Sequence, residues 1–244
     1  MSLNFSIGIL SMRAPKTLRN TLQSYVDGGL FDICDDVIIY FNSVTQTDLD
    51  IAEEFGITHI LSSEDNIGIG KAFEQLVLAA KHDNICILED DWVLIEDKET
   101  IKEVMIDSCD MLDTNQFDFI RLRHSENPGD PLYTRQFAGK EYKSFEHLLD
   151  AIHWHGVTLA IRFPDKIKYE DTEHTEFMYC DSYYGNHTNN PFMCTRKFYL
   201  DNIAPYSGVG NALEGQIREP WRKAGYRVAH NIPGLFTHYR IDRS

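Results

Sequence analysis

The chain has 244 residues, 43% hydrophobic and 25% charged, a balance that suits one folded domain and excludes a disordered or fibrous chain. With 23 Lys and Arg against 38 Asp and Glu, the formal net charge is −15; such a surface repels phosphate backbones and argues against general nucleic-acid binding. No apolar run approaches the roughly 18 residues that cross a bilayer, and the start lacks the basic-then-apolar pattern of a secretory leader. The five cysteines are odd in number and lack paired metal spacing, which points to a reducing, cytoplasmic setting rather than a disulfide framework or zinc site.

The predicted elements alternate through the first half. Residues 5–10 form an Ile-rich strand ending at Ser11. Pro15 opens a helix whose inner face carries Leu18, Leu22, Tyr25 and Val26, and Gly28-Gly29 closes it. Residues 37–41 are near-continuously apolar, the pattern of a strand buried on both faces. A short helix over 48–55, a strand over 58–61, a helix over 70–81, a strand over 84–88 and a helix over 99–112 follow. Four β-α units in succession predict a mostly parallel sheet flanked by helices, with ligands at the carboxyl ends of its strands.

The second half is less regular. Strands are predicted over 117–122 and 157–161, separated by a polar, Pro- and Gly-containing stretch over 123–143. Residues 170–190 are dense in Tyr, His, Asp and Asn and suit a lid. A helix over 212–224, interrupted by Pro220, precedes a strand over 226–229. No linker divides the chain, so it reads as a single domain, 1–244, with a ligand-binding half to residue 95 and an acceptor-side half from residue 96.

Three segments carry chemistry. At Glu89-Asp90-Asp91 a buried strand runs into three adjacent carboxylates, whose mutual repulsion calls for a positive partner. Mg²⁺ or Mn²⁺ bridging to substrate phosphates would supply it, and a solvated acidic turn is the plain alternative. At Asn66-Ile67-Gly68-Ile69-Gly70-Lys71 a polar loop leads into a helix start, a setting that suits a phosphate. Near the end stand Glu214, Glu219 and His238, which suit a general base, its reserve and a metal ligand. His153, Trp154, His155, Tyr183, Tyr184 and Phe192 supply aromatic rings for stacking on sugars or, equally, for core packing.

In this order the segments resemble the nucleotide-sugar glycosyltransferases of the GT-A fold, nearest the large inverting family 2. The strand over 6–11, the Asn66-Ile67-Gly68 loop, Glu89-Asp90-Asp91 as a variant of the Asp-x-Asp (DXD) motif, Asn190 to Arg196 on the acceptor side, Glu214 and the late His238 carry the likeness. The resemblance implies a hexosyltransferase-type enzyme that moves a sugar from a nucleoside-diphosphate sugar to an acceptor hydroxyl, on a glycan, a protein or a lipid-linked sugar. It implies that Ser11, Arg13, Asn42, Asn66, Gly68, Lys71, Glu89 and Asp90 contact the nucleotide-sugar. It implies that Asp91 and His238 hold Mn²⁺ or Mg²⁺, and that Glu214 is the catalytic base. Many family members have Asp where Asn42 stands, so the resemblance does not fix the base; the departure at Glu89 and the lack of a clear Gln-x-x-Arg-Trp motif argue against a processive polysaccharide synthase. A sugar nucleotidyltransferase, a metal-dependent phosphatase and a non-catalytic nucleotide-sugar-binding relative are the competing readings.

Overall fold

The computed structural model describes residues 3–129, 158–208 and 213–242. In chain order the elements are β1 (Phe5–Ser11), α1 (Pro15–Asp27), β2 (Val37–Asn42), α2 (Gln46–Glu54), β3 (His59–Ser63), α3 (Ile69–Ala79), β4 (Asn84–Glu89), β5 (Trp92–Leu94) and α4 (Lys98–Asp113). There follow β6 (Phe119–Arg121), α5 (Thr158–Arg162), β7 (Ile167–Asp171), β8 (Glu176–Asp181), β9 (Phe192–Thr195) and α6 (Arg196–Asn202). A 3₁₀ turn (Ala204–Tyr206), α7 (Leu213–Ala224), β10 (Arg227–Ile232) and β11 (Phe236–His238) complete the order.

Nine strands make one sheet in the order β3-β2-β1-β4-β9-β6-β10-β8-β7, and β11 and β5 form a small second sheet. The first four neighbours are parallel, as expected of consecutive β-α units. Beyond β4 the pairing changes: β9 runs antiparallel to β4 and β6, β10 is parallel to β6, and β8 is antiparallel to β10 and β7. The β3-β2-β1-β4 edge therefore gathers four carboxyl ends on one rim, where α/β sheets place their ligands.

Helices cover both faces because the strands are apolar on both sides. Phe5, Ile7 and Ile9 of β1 pack with Leu18, Leu22 and Tyr25 of α1, Ile51 of α2 and Val104 and Met105 of α4. On the opposite face Leu10, Ile85 and Ile87 meet Phe73, Leu76 and Val77 of α3, Tyr199 of α6 and Ile217 and Trp221 of α7. Gly8 lets α3 close in, since a Cβ there would lie 3.2 Å from the Cβ of Leu76. Helix α2 begins with a capping box between Thr45 and Asp48, and Asp97 caps α4 by accepting from the Thr100 N–H.

Two expectations are corrected. Residues 158–162 form helix α5, not a strand; a short apolar run fits either period until its packing is known. Helix α7 runs unbroken through Pro220, with Ile217 and Trp221 buried on either side of it. The dense polar segment supplies much of the antiparallel pair β7–β8. Asp107 of α4 clips that pair in place: its Oδ2 accepts from Thr172 Oγ1 at 2.6 Å and from the His174 and Thr175 N–H groups at 2.9 Å.

Candidate active site

Helix α1 backs the rim. Thr17, Thr21, Ser24 and Tyr25 lie on one side of it, as residues three, four and eight apart must. Thr21 Oγ1 donates to the Asp90 carbonyl at 2.6 Å and Tyr25 Oη to the Trp92 carbonyl at 2.7 Å, while Ser24 Oγ accepts from the Leu94 N–H at 3.0 Å. The acidic turn is thus bolted by its backbone, leaving its carboxylates to be aimed by other contacts.

The three carboxylates have different surroundings. Glu89, half-buried at the end of β4, has its pKa pushed well up by burial first and then by Asp91, Asp90 and Glu214. Asp90 points inward: its Oδ2 accepts from Ser11 Oγ at 2.7 Å and from the Met12 N–H at 3.0 Å. Burial, then the neighbouring Asp91, pushes its pKa up to about 7, against the pull of those hydrogen bonds. Asp91 meets a histidine and an arginine instead. His238 Nε2 lies 3.0 Å and Arg240 Nη1 3.5 Å from its Oδ2, and its carbonyl accepts from the Tyr239 N–H at 2.8 Å.

His238 comes from β11, which pairs antiparallel with β5 so that His238 faces Trp92. Its ring stands edge-on to Trp92 with centroids 4.9 Å apart, and Arg123 lies over the same indole, 4.8 Å from its centroid. Arg123 follows β6 and donates to the Pro128 carbonyl and to Asn190 Oδ1. Burial brings its pKa down to about 9, with Asp91 pulling the other way. The 124–128 turn is closed by His124, whose Nδ1 accepts from the Glu126 and Asn127 N–H groups and whose Nε2 lies 2.9 Å from Glu96. It delivers Gly129 against β11.

The second half of the rim is a loop organised by Asn42. Its Oδ1 accepts from the Ile67 N–H at 2.8 Å and from Ser63 Oγ at 3.3 Å, and its Nδ2 donates to Asn66 Oδ1 at 2.9 Å. Asn66 Oδ1 also accepts from the Gly68 N–H. Gly68 then enters α3 at φ 85°, a value that favours glycine. Arg13, at φ 51°, donates to Ser43 Oγ at 2.7 Å. Lys71 pairs with Glu74 at 2.7 Å, and Glu74 also accepts from Ser207 Oγ.

Glu214 sits exposed in the first turn of α7, where its Oε1 accepts from the Asn189 N–H at 2.7 Å. Its charge reaches both Glu89 and the buried Arg121 of β6. Glu219, one and a half turns along α7, pairs with Arg222 at 3.8 Å. Phe192 is fully buried among Phe73, Phe119, His187 and Tyr199 and is a core ring. The Asn190 to Arg196 segment around it is largely the inner strand β9. Tyr183 is exposed beside Tyr184, and Arg222 lies over its ring; His153, Trp154 and His155 lie outside the described residues. A separate hollow, lined in part by Arg121, Met178, Cys180 and His230, opens on the β6-β10-β8-β7 half of the sheet rather than at the strand ends.

Sequence reasoning singled out neither Arg123 nor Arg240. Arg123 lies just past the carboxyl end of a strand parallel to β10, and Arg240 two residues beyond His238; only position relative to the rim marks them. Among the described residues no three His, Cys, Asp or Glu side chains form a group suited to a metal ion. Asp91 and His238 do form a two-donor set, and His238 Nδ1 is buried without a hydrogen-bond partner. Two protein donors fit a Mg²⁺ or Mn²⁺ ion that takes its other ligands from water and a diphosphate.

No family model matches the chain, and no curated protein matches it in sequence. Solved structures do match its shape. A 1–349 piece of S. aureus TarS superposes with a TM-score of 0.58 at 14% identity, covering 97% of this chain and 60% of that one. The same piece in complex with UDP gives 0.55 at 14% identity, covering 96% and 60%. The fold is that of the GT-A glycosyltransferases. A longer TarS chain gives 0.57 at 14% identity, and this chain spans 37% of its length. On the GT-A frame, the parallel strands β3-β2-β1-β4 and the acidic end of β4 form the rim described above. No helix among the described residues is long and apolar enough to cross a membrane.

Proposed function

We infer that the protein is a nucleotide-sugar-dependent glycosyltransferase that moves a hexose from a nucleoside-diphosphate sugar to an acceptor hydroxyl, with inversion at the anomeric carbon. The observation that carries this reading is the Asp91–His238–Arg240 group at the carboxyl rim of a GT-A sheet. A UDP complex of TarS, which shares the fold, supports a nucleoside diphosphate as the donor's leaving group.

The chain's residues divide the work. Ser11, Arg13, Asn42, Asn66, Gly68 and Lys71 line the ends of β1, β2 and the β3–α3 loop, where a base and ribose would lie. Glu89 and Asp90 stand between that loop and Asp91. Asp90 acts by holding Ser11 and Met12 in place, accepting from the Ser11 hydroxyl and the Met12 N–H. Asp91 and His238 would hold Mn²⁺ or Mg²⁺. Such an ion neutralises charge on the departing diphosphate. Glu214 is the base that takes the proton of the attacking hydroxyl, and it must be ionised to do so. Glu214 stands on the first turn of α7 and its charge acts on Glu89, whereas Glu219 is paired with Arg222. With the base on the face opposite the leaving group, a single displacement inverts the sugar carbon.

The test is a thermal-shift panel of nucleoside diphosphates and their sugars, with and without Mn²⁺. A ligand that binds only the folded chain raises its melting temperature, by about 2.7 kcal/mol of stability at one hundred times Kd. One base is expected to stabilise the protein in a Mn²⁺-dependent way, and Asp91→Ala is expected to abolish the metal dependence. A panel without any stabilising nucleotide would overturn the reading. Pyrophosphate release from a nucleoside triphosphate would move it to a nucleotidyltransferase.

A further inference from the structure

Helix α1 has no cap of its own. Its N-cap residue is Ala14, which makes no side-chain hydrogen bond to the helix. The missing acceptor comes from the far side of the sequence: Asp242 Oδ2 accepts from the Lys16 N–H at 2.7 Å and the Thr17 N–H at 3.3 Å. The bond is returned, because Thr17 Oγ1 accepts from the Ile241 N–H at 3.0 Å and the Asp242 N–H at 2.9 Å. This is a capping box made between segments 225 residues apart. Its carboxylate also sits at the positive end of the helix dipole.

The latch has a second product. The Asp242 carbonyl accepts from Arg240 Nε at 3.0 Å, and Arg240 Nη1 lies 3.5 Å from Asp91 Oδ2. Arg240 is thus held at both ends of its guanidinium with part of it still in solvent, its side chain 38% exposed. Of the three rim carboxylates Arg240 contacts Asp91 alone, and its charge acts at longer range on Glu89 and Asp90. Other cations near the rim are engaged: Lys71 with Glu74, and Arg13 with Ser43. A guanidinium presents paired N–H donors that match phosphate oxygens.

We propose that Arg240 binds the diphosphate of the donor and that Asp242 is the positioning residue that aims it, acting from the N-terminus of α1. The proposal rests on the transferase reading for its ligand but not for its latch, and the two halves are tested separately.

The latch is read without any donor. In Asp242→Ala, amide hydrogen exchange of the peptide containing Tyr239 is expected to quicken about tenfold or more as its bond to the Asp91 carbonyl loosens. Unchanged protection there overturns the positioning role. Asp242→Asn, which keeps an acceptor oxygen at the helix end, is expected to fall between the two and guards against a simple loss of folding.

The ligand half is read by calorimetry, using the nucleoside diphosphate that stabilises the wild type, with Mn²⁺. Arg240→Ala is expected to weaken binding about tenfold or more, since losing a charged hydrogen-bond partner has effects of that order. Arg240→Lys is expected to recover part of it. Asp242→Ala is expected to weaken binding about fivefold alone and to add nothing in the Arg240→Ala background, as residues acting in series do. Losses that multiply, or a lowered melting temperature with unchanged affinity in Asp242→Ala, overturn the series coupling. Full affinity in Arg240→Ala overturns the donor role. A wild type that binds no nucleoside diphosphate sinks the transferase reading and Arg240's ligand with it, while the exchange result still judges the latch.

Discussion

Asp90 and Asp91 are adjacent carboxylates with opposite fates. Both stand in the turn between β4 and β5 and both are buried, so it is their partners that separate them. Asp90 meets Ser11 Oγ and the Met12 N–H and gains protons readily, its pKa near 7 because burial disfavours its charge. Asp91 meets His238 and Arg240. An acidic triplet in a sequence therefore holds more than one kind of residue. Glu214 tests the chemistry at the same scale. Glu214→Gln keeps the shape and the acceptor oxygen for the Asn189 N–H but removes the basicity. Turnover is expected to fall by about 10² to 10⁴, the usual contribution of a general base, with donor affinity retained. Loss of donor binding in calorimetry would instead make Glu214 a structural part.

Among the elements, α1 does the most for the site. One polar stripe along it holds the acidic turn, the start of β5 and residues 241–242. Its apolar face was legible from the spacing of Leu18, Leu22 and Tyr25, though Val26, expected with them, is exposed; its polar role was not, because Thr17, Thr21 and Ser24 look like ordinary helix residues until their partners are known. Strand β11 depends in a similar way on Gly129, which sits at φ 75° with its α-carbon so close to β11 that a Cβ would lie 2.0 Å from the His238 carbonyl oxygen. Gly129→Ala must displace either the loop or His238. We expect a loss of about 2 kcal/mol, a fall in melting temperature of roughly 4–8 °C for a chain of this size, and weakened metal-dependent donor binding. A variant that melts like the wild type would show that the two segments are not held together. The error at α5 has the same origin: five residues are too few for a period to show, and tertiary packing chose the helix.

For the molecule as a whole, two buried histidines work against stability in acid. His187 packs against Phe119, Phe192 and Trp221, and His230 lies in β10 beside Arg121; both are buried, and among the described residues neither has a hydrogen-bond partner on its ring nitrogens. Burial, followed by the charge of Arg121, lowers both to about 3. The folded state therefore binds fewer protons than the unfolded chain below the ordinary histidine value of about 6.5. The histidines' share of the stability is fully present above that value and declines as pH falls from about 6.5 towards 3, by about 2 kcal/mol per histidine at pH 5, while the raised carboxyls of Glu89 and Asp90 work in the opposite direction. Melting temperatures of the wild type and of His187→Gln, measured from pH 7 to pH 4.5, should show a shallower acid decline in the variant. Parallel declines would remove His187 from the account.

The amino-acid order by itself determined the alternating β-α half, its buried strands and the acidic end of β4, because burial and helix periodicity are written in residues close to one another. It also marked Asn66, Gly68, Glu214 and His238 as positions where chemistry would concentrate. The pairing of His238 with Asp91 was implied by the family resemblance, but only the tertiary structure brought Arg240 to Asp91: it lies 149 residues further along, and a contact of that range leaves no local pattern. The antiparallel insertion of β9 between β4 and β6 was equally hidden, since an apolar tetrapeptide fits many edges and only the assembled sheet selects one.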